Sequence, residues 1–176
     1  LQGERPPFSG GEPLVHPRFM ELLERATGKG LKVTISTNGT RITPEAAARF
    51  KELGVAYVGI SLDGIGAVHD KFRGVEGSFE QAVRGFRLCS EVGQKTGLRL
   101  TLTRNNVQCM GQILDFIDAN DIQRVCFYHL VPTGRGVEVQ TLTQEEARNA
   151  MDTLIARVEE WKAEGKNREV LTCLLY

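Results

Sequence analysis

The chain has 176 residues, enough for a sizeable domain, and its 41% hydrophobic and 25% charged residues exclude an intrinsically disordered segment. Lys+Arg and Asp+Glu both number 22, so the formal charge is zero and gives no sign of a nucleic-acid or membrane-surface partner. No apolar run approaches the roughly 20 residues of a membrane span, and no signal peptide is recognisable, so we expect a cytoplasmic protein.

Helical and strand-like patterns alternate along the chain. The predicted helices cover about 19–26, 44–53, 78–92, 112–119 and 144–164, and the predicted strands cover 31–37, 55–62, 97–103, 124–131 and 169–175. Thr43 and Thr143 are the predicted N-caps of their helices. Nothing before the glycines at 10 and 11 reads as a strand. The alternation predicts βαβ units with a parallel sheet, either open and doubly wound or a complete or partial barrel.

Polar, Gly-rich turns follow the predicted strands or the place where a strand is expected. In chain order they read SGGEP, STNGT, SLDG, TLTRNN and HLVPTGRG. The carboxyl ends of parallel strands lie on one rim, where ligands bind. We therefore expect these turns to form a ligand site.

The first turn has the chemistry of a site for an amino-acid zwitterion. Gly10 and Gly11 allow the backbone to approach a ligand, and Glu12 supplies a negative charge for an ammonium group. Arg73 is a candidate cation for the carboxylate, and Ser61 could add a hydroxyl. Asn38 and Asp63, in later turns, are candidates for ribose hydroxyls.

The four cysteines lack the close spacing of a metal knuckle. Cys89 and Cys126 lie in apolar segments and are predicted to be buried thiols. Of the histidines, His16 is expected at the surface and His69 is expected to order its loop by hydrogen bonding.

The ordered motifs resemble those of radical S-adenosylmethionine (SAM) enzymes, and especially the subgroup that remodels iron tetrapyrroles, including haem d1 biosynthesis. The motifs are SGGEPL, STNGT, YVGISLDG, HDKFRG, GLRLTLTRNN and HLVPTGRG, between Phe8 and Gly136. The resemblance implies an α/β fold, a partial (β/α)6 TIM-like barrel whose rim binds SAM.

The resemblance also implies roles for individual residues. Gly10, Gly11 and Glu12 would bind the methionyl amine, Ser61 and Arg73 its carboxylate, Asn38 and Asp63 the ribose, and Leu130 and Val131 the adenine. His129 would ligate iron or donate a proton near the substrate, although it could instead point into the helix layer. Arg135 is a candidate for a substrate carboxylate, with a solvated loop arginine as the equal alternative.

The chain departs from this family in one respect. The CxxxCxxC loop that holds the family's 4Fe–4S cluster does not occur in the sequence, so we expect the first βα unit of the barrel to be missing from this chain. We expect residues 1–140 to form the incomplete barrel and 141–176 a helix leading to a Cys-rich extension with a second iron–sulfur cluster. Cys173 would be a ligand there, or otherwise a buried thiol.

The function that the resemblance implies belongs to the intact protein, and the fragment alone is expected to be inactive. The intact enzyme would reductively cleave SAM to a 5′-deoxyadenosyl radical that modifies propionate side chains of a sirohaem-derived iron tetrapyrrole, with electrons from a flavodoxin or ferredoxin. A radical SAM peptide maturase is one alternative. A non-catalytic SAM-binding barrel module is the alternative of another class.

Overall fold

The computed structural model describes residues 7–8, 11–129 and 141–173. The strands are β1 Pro7–Phe8, β2 Thr34–Thr37, β3 Tyr57–Ser61, β4 Thr96–Leu102, β5 Arg124–His129 and β6 Glu169–Cys173. The helices are α1 Phe19–Gly28, α2 Pro44–Glu52, α3 Ala67–Arg73, α4 Ser78–Glu91, α5 Met110–Ala119 and α6 Gln144–Ala163, with 3₁₀ turns at Pro13–Val15 and Val107–Cys109.

The strands form a sheet in the order of the chain, β1-β2-β3-β4-β5-β6. β1 pairs parallel to β2, β2 to β3, β4 to β5 and β5 to β6. Helices separate the strands from β2 onward, as the parallel arrangement requires. The predicted α/β fold of the partial-barrel type is confirmed.

Two elements correct the sequence-based prediction. No strand was predicted before the glycine turn, yet Pro7–Phe8 pairs with Thr34 and Ile35 of β2. A proline without an N–H is tolerated at this edge of the sheet because only one neighbour has to be bonded. The segment HDKFRG was predicted as a loop, but α3 covers most of it. With seven residues between Gly66 and Gly74, this helix is too short for a periodic apolar pattern.

The chain divides into two compact units. The first unit comprises Leu1–Ser61 with Ser78–Gly97, and the second comprises Leu62–Gly77 with Leu98–Tyr176. The predicted boundary between residues 140 and 141 lies beside residues outside the described ranges and stays a prediction.

The core of the first unit lies between its strands and the helices α1, α2 and α4. Its fully buried side chains include Leu23, Ile35, Phe50, Val58 and Ile60. The opposite face of β2 and β3 carries half-buried polar side chains, those of Thr34, Ser36, Tyr57 and Ser61. Strand alternation therefore gives this unit one apolar and one polar sheet face.

The second unit repeats this division. Leu98, Leu100 and Leu102 of β4 and Val125 and Phe127 of β5 are buried, together with the apolar stripe of α5. The residues between them lie on the other face, which we call the polar face of the second unit: Arg99, Thr101, Arg124, Cys126, Tyr128, Glu169, Leu171 and Cys173. Among the described helices, none has the length and apolarity needed to cross a bilayer.

Candidate functional site

Glu12 lies immediately before the 3₁₀ turn, and hydrogen bonds fix its carboxylate. Oε1 accepts a hydrogen bond from the Thr37 hydroxyl at 2.7 Å and one from the Leu14 amide at 3.1 Å, and Oε2 accepts one from the Asn38 amide at 2.6 Å. Glu12 is nevertheless half-exposed, and a Cβ added to the neighbouring Gly11 would have no atom within 4 Å. The first unit thus presents an oriented, half-exposed carboxylate, and the predicted contact of Glu12 with an ammonium group stays a prediction.

Thr37 connects Glu12 to the turn after β2. Its hydroxyl donates to Glu12 and accepts a 3.0 Å hydrogen bond from the Gly39 amide, and the side chain is buried. Gly39 has a φ of +77°, and a Cβ there would lie 2.7 Å from a methyl group of Ile60. Thr37 is not among the site residues predicted from the sequence, although it directly precedes Asn38, which is.

The Asn38 side chain shapes the same turn. Its Oδ1 accepts hydrogen bonds from the amide and the hydroxyl of Thr40, at 3.0 and 2.9 Å. This arrangement is a side-chain turn of the kind that asparagine commonly forms. The predicted contact of Asn38 with ribose stays a prediction.

Asp63, in the second unit, has internal partners at both carboxylate oxygens. Oδ1 accepts a 2.9 Å hydrogen bond from the Thr101 amide, Oδ2 is ion-paired with Arg73, and the side chain is 2% exposed. The Leu62 amide donates to the carbonyl of Arg99 in β4. Two residues further along β4, the Thr101 amide donates to the Asp63 carboxylate, which takes the place of a backbone carbonyl. The contacts described for Asp63 therefore orient Arg73 and β4, and its predicted contact with ribose stays a prediction.

Arg73 ends α3 and is partly exposed. Its side chain is 32% exposed, and its Nη2 is ion-paired with Asp63. A guanidinium has five N–H donors in a fixed fork, so the same group can bond a second carboxylate. Ser61, the other residue predicted to bind a carboxylate, is half-buried at the end of β3 in the first unit.

His69 is a buried histidine that holds the turn after β3. Its Nδ1 accepts a 3.0 Å hydrogen bond from the Asp63 amide, so this nitrogen carries no proton. Burial lowers the pKa of His69; this effect outweighs Asp63, which acts in the opposite direction. His69 makes the predicted ordering hydrogen bond, but it does so from helix α3 and to the preceding turn, whereas its own segment was predicted to be a loop.

Asn106 is a second organising residue that sequence analysis missed. It is fully buried, its Nδ2 donates to the carbonyls of Asp63 and Thr101 at 3.0 and 2.7 Å, and its Oδ1 accepts from the Thr103 amide. Its motif, TLTRNN, had been read as part of a ligand-binding rim. A buried amide with partners on both sides explains why asparagine occurs there, without a ligand.

The polar face of the second unit contains a cation that the sequence prediction did not single out. Arg99 lies over the Tyr128 ring, with 4.9 Å between the guanidinium carbon and the ring centroid. The alternation in GLRLTLT, with leucines at 98, 100 and 102, could have identified Arg99 as the opposite-facing residue. By the same alternation along β5, His129 lies on the buried face of the sheet, with Val125 and Phe127. Its catalytic role stays a prediction.

The cysteines divide into two kinds. Cys89 and Cys126 are buried, as predicted, and burial raises the pKa of the Cys89 thiol to about 12. Cys173 is half-buried, and its sulfur lies 3.7 Å from that of Cys126. Its predicted role as a cluster ligand stays a prediction.

Four predicted site residues lie outside the described residues: Gly10, Leu130, Val131 and Arg135. Their roles stay predictions.

Each unit can be compared with the implied cofactors by itself. In the first unit, the Glu12 carboxylate has the charge that an ammonium group requires. In the second unit, the Arg73 guanidinium has the charge that a carboxylate requires. For a 4Fe–4S cluster, the described residues contain no group of three or more His, Cys, Asp or Glu side chains placed to hold a metal. The CxxxCxxC motif that holds the family's cluster does not occur in the sequence either.

Comparison with known proteins places the chain in a family. The family model described as the radical SAM superfamily matches residues 8–117. The chain is 46% identical over 167 residues to the Fe-coproporphyrin III synthase of Methanosarcina barkeri, covering 94% of this chain and 42% of the relative. It is 42% identical over 169 residues to the pre-heme d1 synthase of Dinoroseobacter shibae, with the same coverage of 94% and 42%.

A peptide-modifying relative also matches. The mycofactocin maturase MftC of Mycolicibacterium smegmatis is 38% identical over 155 residues, covering 85% of this chain and 39% of the relative.

A solved structure shares the fold. The structure of native anSMEcpe with bound AdoMet and Cp18Cys peptide matches with a TM-score of 0.75 at 22% identity, covering 93% of this chain and 49% of that one. The chain spans about two-fifths of the length of the curated relatives, 42% for the first two. Family membership implies SAM and a 4Fe–4S cluster as cofactors, and the resemblance to tetrapyrrole-modifying members is confirmed. The chain belongs to the radical SAM superfamily.

Proposed function

We propose that the intact protein is a radical SAM enzyme of haem d1 biosynthesis that modifies propionate side chains of a sirohaem-derived iron tetrapyrrole. The observation that supports this substrate class is the 42–46% identity, over 94% of the chain, to relatives named as a pre-heme d1 synthase and an Fe-coproporphyrin III synthase. When bound, the 4Fe–4S cluster supplies the electron that cleaves SAM. Its ligands are not among the cysteines of this chain, because the CxxxCxxC motif does not occur here.

The residues of this chain bind and orient SAM in this proposal. Glu12 accepts hydrogen bonds from the methionyl ammonium with a carboxylate that Thr37 and Asn38 already hold in place. Arg73 binds the methionyl carboxylate, with a guanidinium that Asp63 orients. Because these side chains are fixed before the ligand arrives, little conformational entropy is lost on binding.

The Glu12 assignment is tested by calorimetry of SAM binding to the full-length, reconstituted protein. Glu12→Gln keeps the shape and removes the charge, so we expect SAM affinity to fall by at least tenfold, as for the loss of a charged hydrogen bond. Glu21→Gln is the matched control because it removes the same charge from the exposed surface of α1. Unchanged affinity in Glu12→Gln would contradict the assignment.

In this proposal, the substrate propionates are bound by a residue other than those that bind SAM. A tetrapyrrole with propionate side chains is a planar polyanion, and Arg99 on the polar face of the second unit is a cation suited to a carboxylate. The full-length enzyme should convert a sirohaem-derived iron tetrapyrrole, with formation of 5′-deoxyadenosine and a change in the mass of the macrocycle. Flavodoxin or ferredoxin as electron donor and the cytoplasm as location are further proposals.

A peptide maturase is the second candidate, favoured by the 38% identity to a mycofactocin maturase. Spectroscopy separates the two candidates. An iron tetrapyrrole that binds should shift its Soret absorption on addition of protein, whereas a peptide maturase should leave that band unchanged. Turnover of a peptide, without turnover of any iron tetrapyrrole, would replace the first proposal by the second.

A further inference from the structure

A cavity of about 210 Å³ lies in the second unit, where α6 ends and β6 begins. It is lined by Val158, Trp161 and Lys162 of α6 and by the segment from Lys166 to Glu169 that leads into β6. A single water molecule needs about 10–15 Å³ of such space, so the cavity has room for a larger ligand. We call it the α6–β6 cavity.

Two of the lining residues keep a buried N–H group without a hydrogen-bond partner. Trp161 is 2% exposed, and within the described part of the chain nothing accepts a hydrogen bond from its indole Nε1. The Arg168 side chain is also 2% exposed, and its Nε likewise has no acceptor there. An unpaired buried donor costs about 1–3 kcal/mol, and native proteins keep few of them. Two such donors on residues that line one cavity indicate a ligand with hydrogen-bond acceptors.

Other contacts hold Arg168 in place. Its Nη1 donates to the carbonyls of Ile122 and Ile117 at 2.8 and 3.3 Å, and its Nη2 donates to the Asp118 carboxylate at 2.7 Å. The guanidinium carbon lies 5.0 Å from the centroid of the Trp161 ring. Because both side chains are fixed before a ligand arrives, little conformational entropy is lost on binding.

The charges around the cavity favour an anion. Lys166 and Arg168 are both ion-paired with Asp118, and Lys166 is also paired with a second carboxylate. The lining carboxylate of Glu169 is ion-paired with an arginine of β5. Lys162, in contrast, is exposed and has no ion pair with any residue that the structure describes. The α6–β6 cavity therefore combines one uncompensated cation with unpaired N–H donors, which is the chemistry that an oxyanion requires.

We propose that the α6–β6 cavity binds one small oxyanion, a phosphate or a carboxylate. The oxygens of this anion accept hydrogen bonds from Trp161 Nε1 and Arg168 Nε, and its charge is balanced by Lys162. Val158 and the Trp161 ring offer apolar surface to any hydrocarbon part of the ligand. The site uses none of the residues assigned to SAM or to the tetrapyrrole, and it does not depend on the proposed function.

Calorimetry tests the site on the full-length protein, titrated separately with inorganic phosphate and with acetate at constant ionic strength. Lys162→Gln removes the uncompensated charge, and Trp161→Phe removes the indole N–H but keeps an aromatic ring. We expect the affinity for the anion to fall at least tenfold in each variant, as for the loss of a charged hydrogen bond. Lys29→Gln is the matched control, because it removes the charge of an exposed lysine in the first unit, directly after α1.

Each outcome decides for or against the site. Binding of one phosphate or one acetate that is weakened in both variants and unchanged in Lys29→Gln supports the proposal, and the anion that binds more tightly identifies the ligand. The proposal is overturned if the wild type binds neither anion at millimolar concentration. It is equally overturned if Lys162→Gln binds as tightly as the wild type. Since Lys162 is exposed, this variant remains informative even if Trp161→Phe folds poorly.

Discussion

At the scale of single residues, Glu12 and Asp63 show two different uses of a carboxylate. Glu12 is half-exposed, and hydrogen bonds from Thr37, Leu14 and Asn38 hold it without covering it. Asp63 is buried and gives both oxygens to partners within the protein. The first arrangement leaves acceptor capacity for a ligand, whereas the second organises its surroundings.

The Thr37 hydroxyl is predicted to be essential for the orientation of Glu12. Thr37→Val keeps the shape but leaves the Gly39 amide and one Glu12 oxygen without that partner, which should cost about 1–3 kcal/mol of unfolding free energy. SAM affinity should fall as well, because Glu12 loses one of the three hydrogen bonds that orient it. Denaturant unfolding and calorimetry measure the two effects, and Thr37→Ser should preserve both. A Thr37→Val protein as stable as Thr37→Ser would refute the prediction.

His69 is predicted to make stability depend on pH. Its pKa is lowered in the folded protein by burial, so below the ordinary value of about 6.5 the unfolded chain takes up a proton that the folded chain resists. His69 therefore does not reduce the free energy of unfolding above about pH 6.5. The free energy of unfolding decreases as the pH falls from that value toward the lowered pKa of the folded state. The loss should approach about 1.4 kcal/mol per pH unit within this window.

His69→Asn provides the control, because its side-chain oxygen can still accept from the Asp63 amide but does not titrate. Unfolding free energies of both proteins are measured between pH 7.5 and 5.5. Wild type should lose stability relative to His69→Asn as the pH falls, since the carboxylates common to both cancel in the difference. A difference that stays constant with pH would show that His69 does not titrate as described.

At the scale of elements, the position of α4 is set by a contact between two glycines. A Cβ on Gly85 of α4 would collide with the carbonyl oxygen of Gly39, in the turn that presents Asn38 to Glu12. The close packing of α4 on this turn therefore depends on the absence of a side chain at position 85. A helical glycine usually weakens its helix, so here its intrinsic cost is offset by the contact it permits.

Gly85→Ala is predicted to be destabilising, although alanine is the better helix former. The overlap with the backbone of Gly39 should cost about 1–3 kcal/mol and displace the turn, so SAM affinity should also fall. Gly111→Ala in α5 is the matched control, because its Cβ would meet no atom within 4 Å. That variant should gain about 0.5–1 kcal/mol in unfolding free energy. If Gly85→Ala is stabilised as Gly111→Ala is, the contact between Gly85 and Gly39 does not restrict how closely α4 packs on the turn.

At the scale of the whole molecule, we expect cofactor binding and radical formation to require different parts of the protein. The groups proposed to bind SAM, Glu12 and Arg73, are present in this chain, whereas the sequence holds no CxxxCxxC motif. Binding of SAM and its reductive cleavage should therefore be separable in this chain.

The 176-residue chain is predicted to be inactive in SAM cleavage. Incubated anaerobically with SAM and a strong reductant, it should form no 5′-deoxyadenosine above background, because no cluster is present to deliver the electron. The full-length protein with a reconstituted cluster is the positive control. Deoxyadenosine from the short chain would mean that electron delivery does not require the missing motif.

The sequence by itself determined the alternation of helices and strands and the N-caps Thr43 and Thr143. These features are encoded locally, in apolar periodicity and in the chemistry of neighbouring residues. The two-residue β1 and the seven-residue α3 were not predicted, because neither is long enough to show an apolar periodicity.

Only the tertiary structure decided which distant residues meet. It placed Thr37 beside Glu12, buried Asp63 against Thr101, and brought Cys126 within 3.7 Å of Cys173. Such contacts depend on strand register and on the path of the turns between strands. A shift of one residue would place every side chain of a strand on its opposite face, and no local pattern specifies a partner 47 residues away.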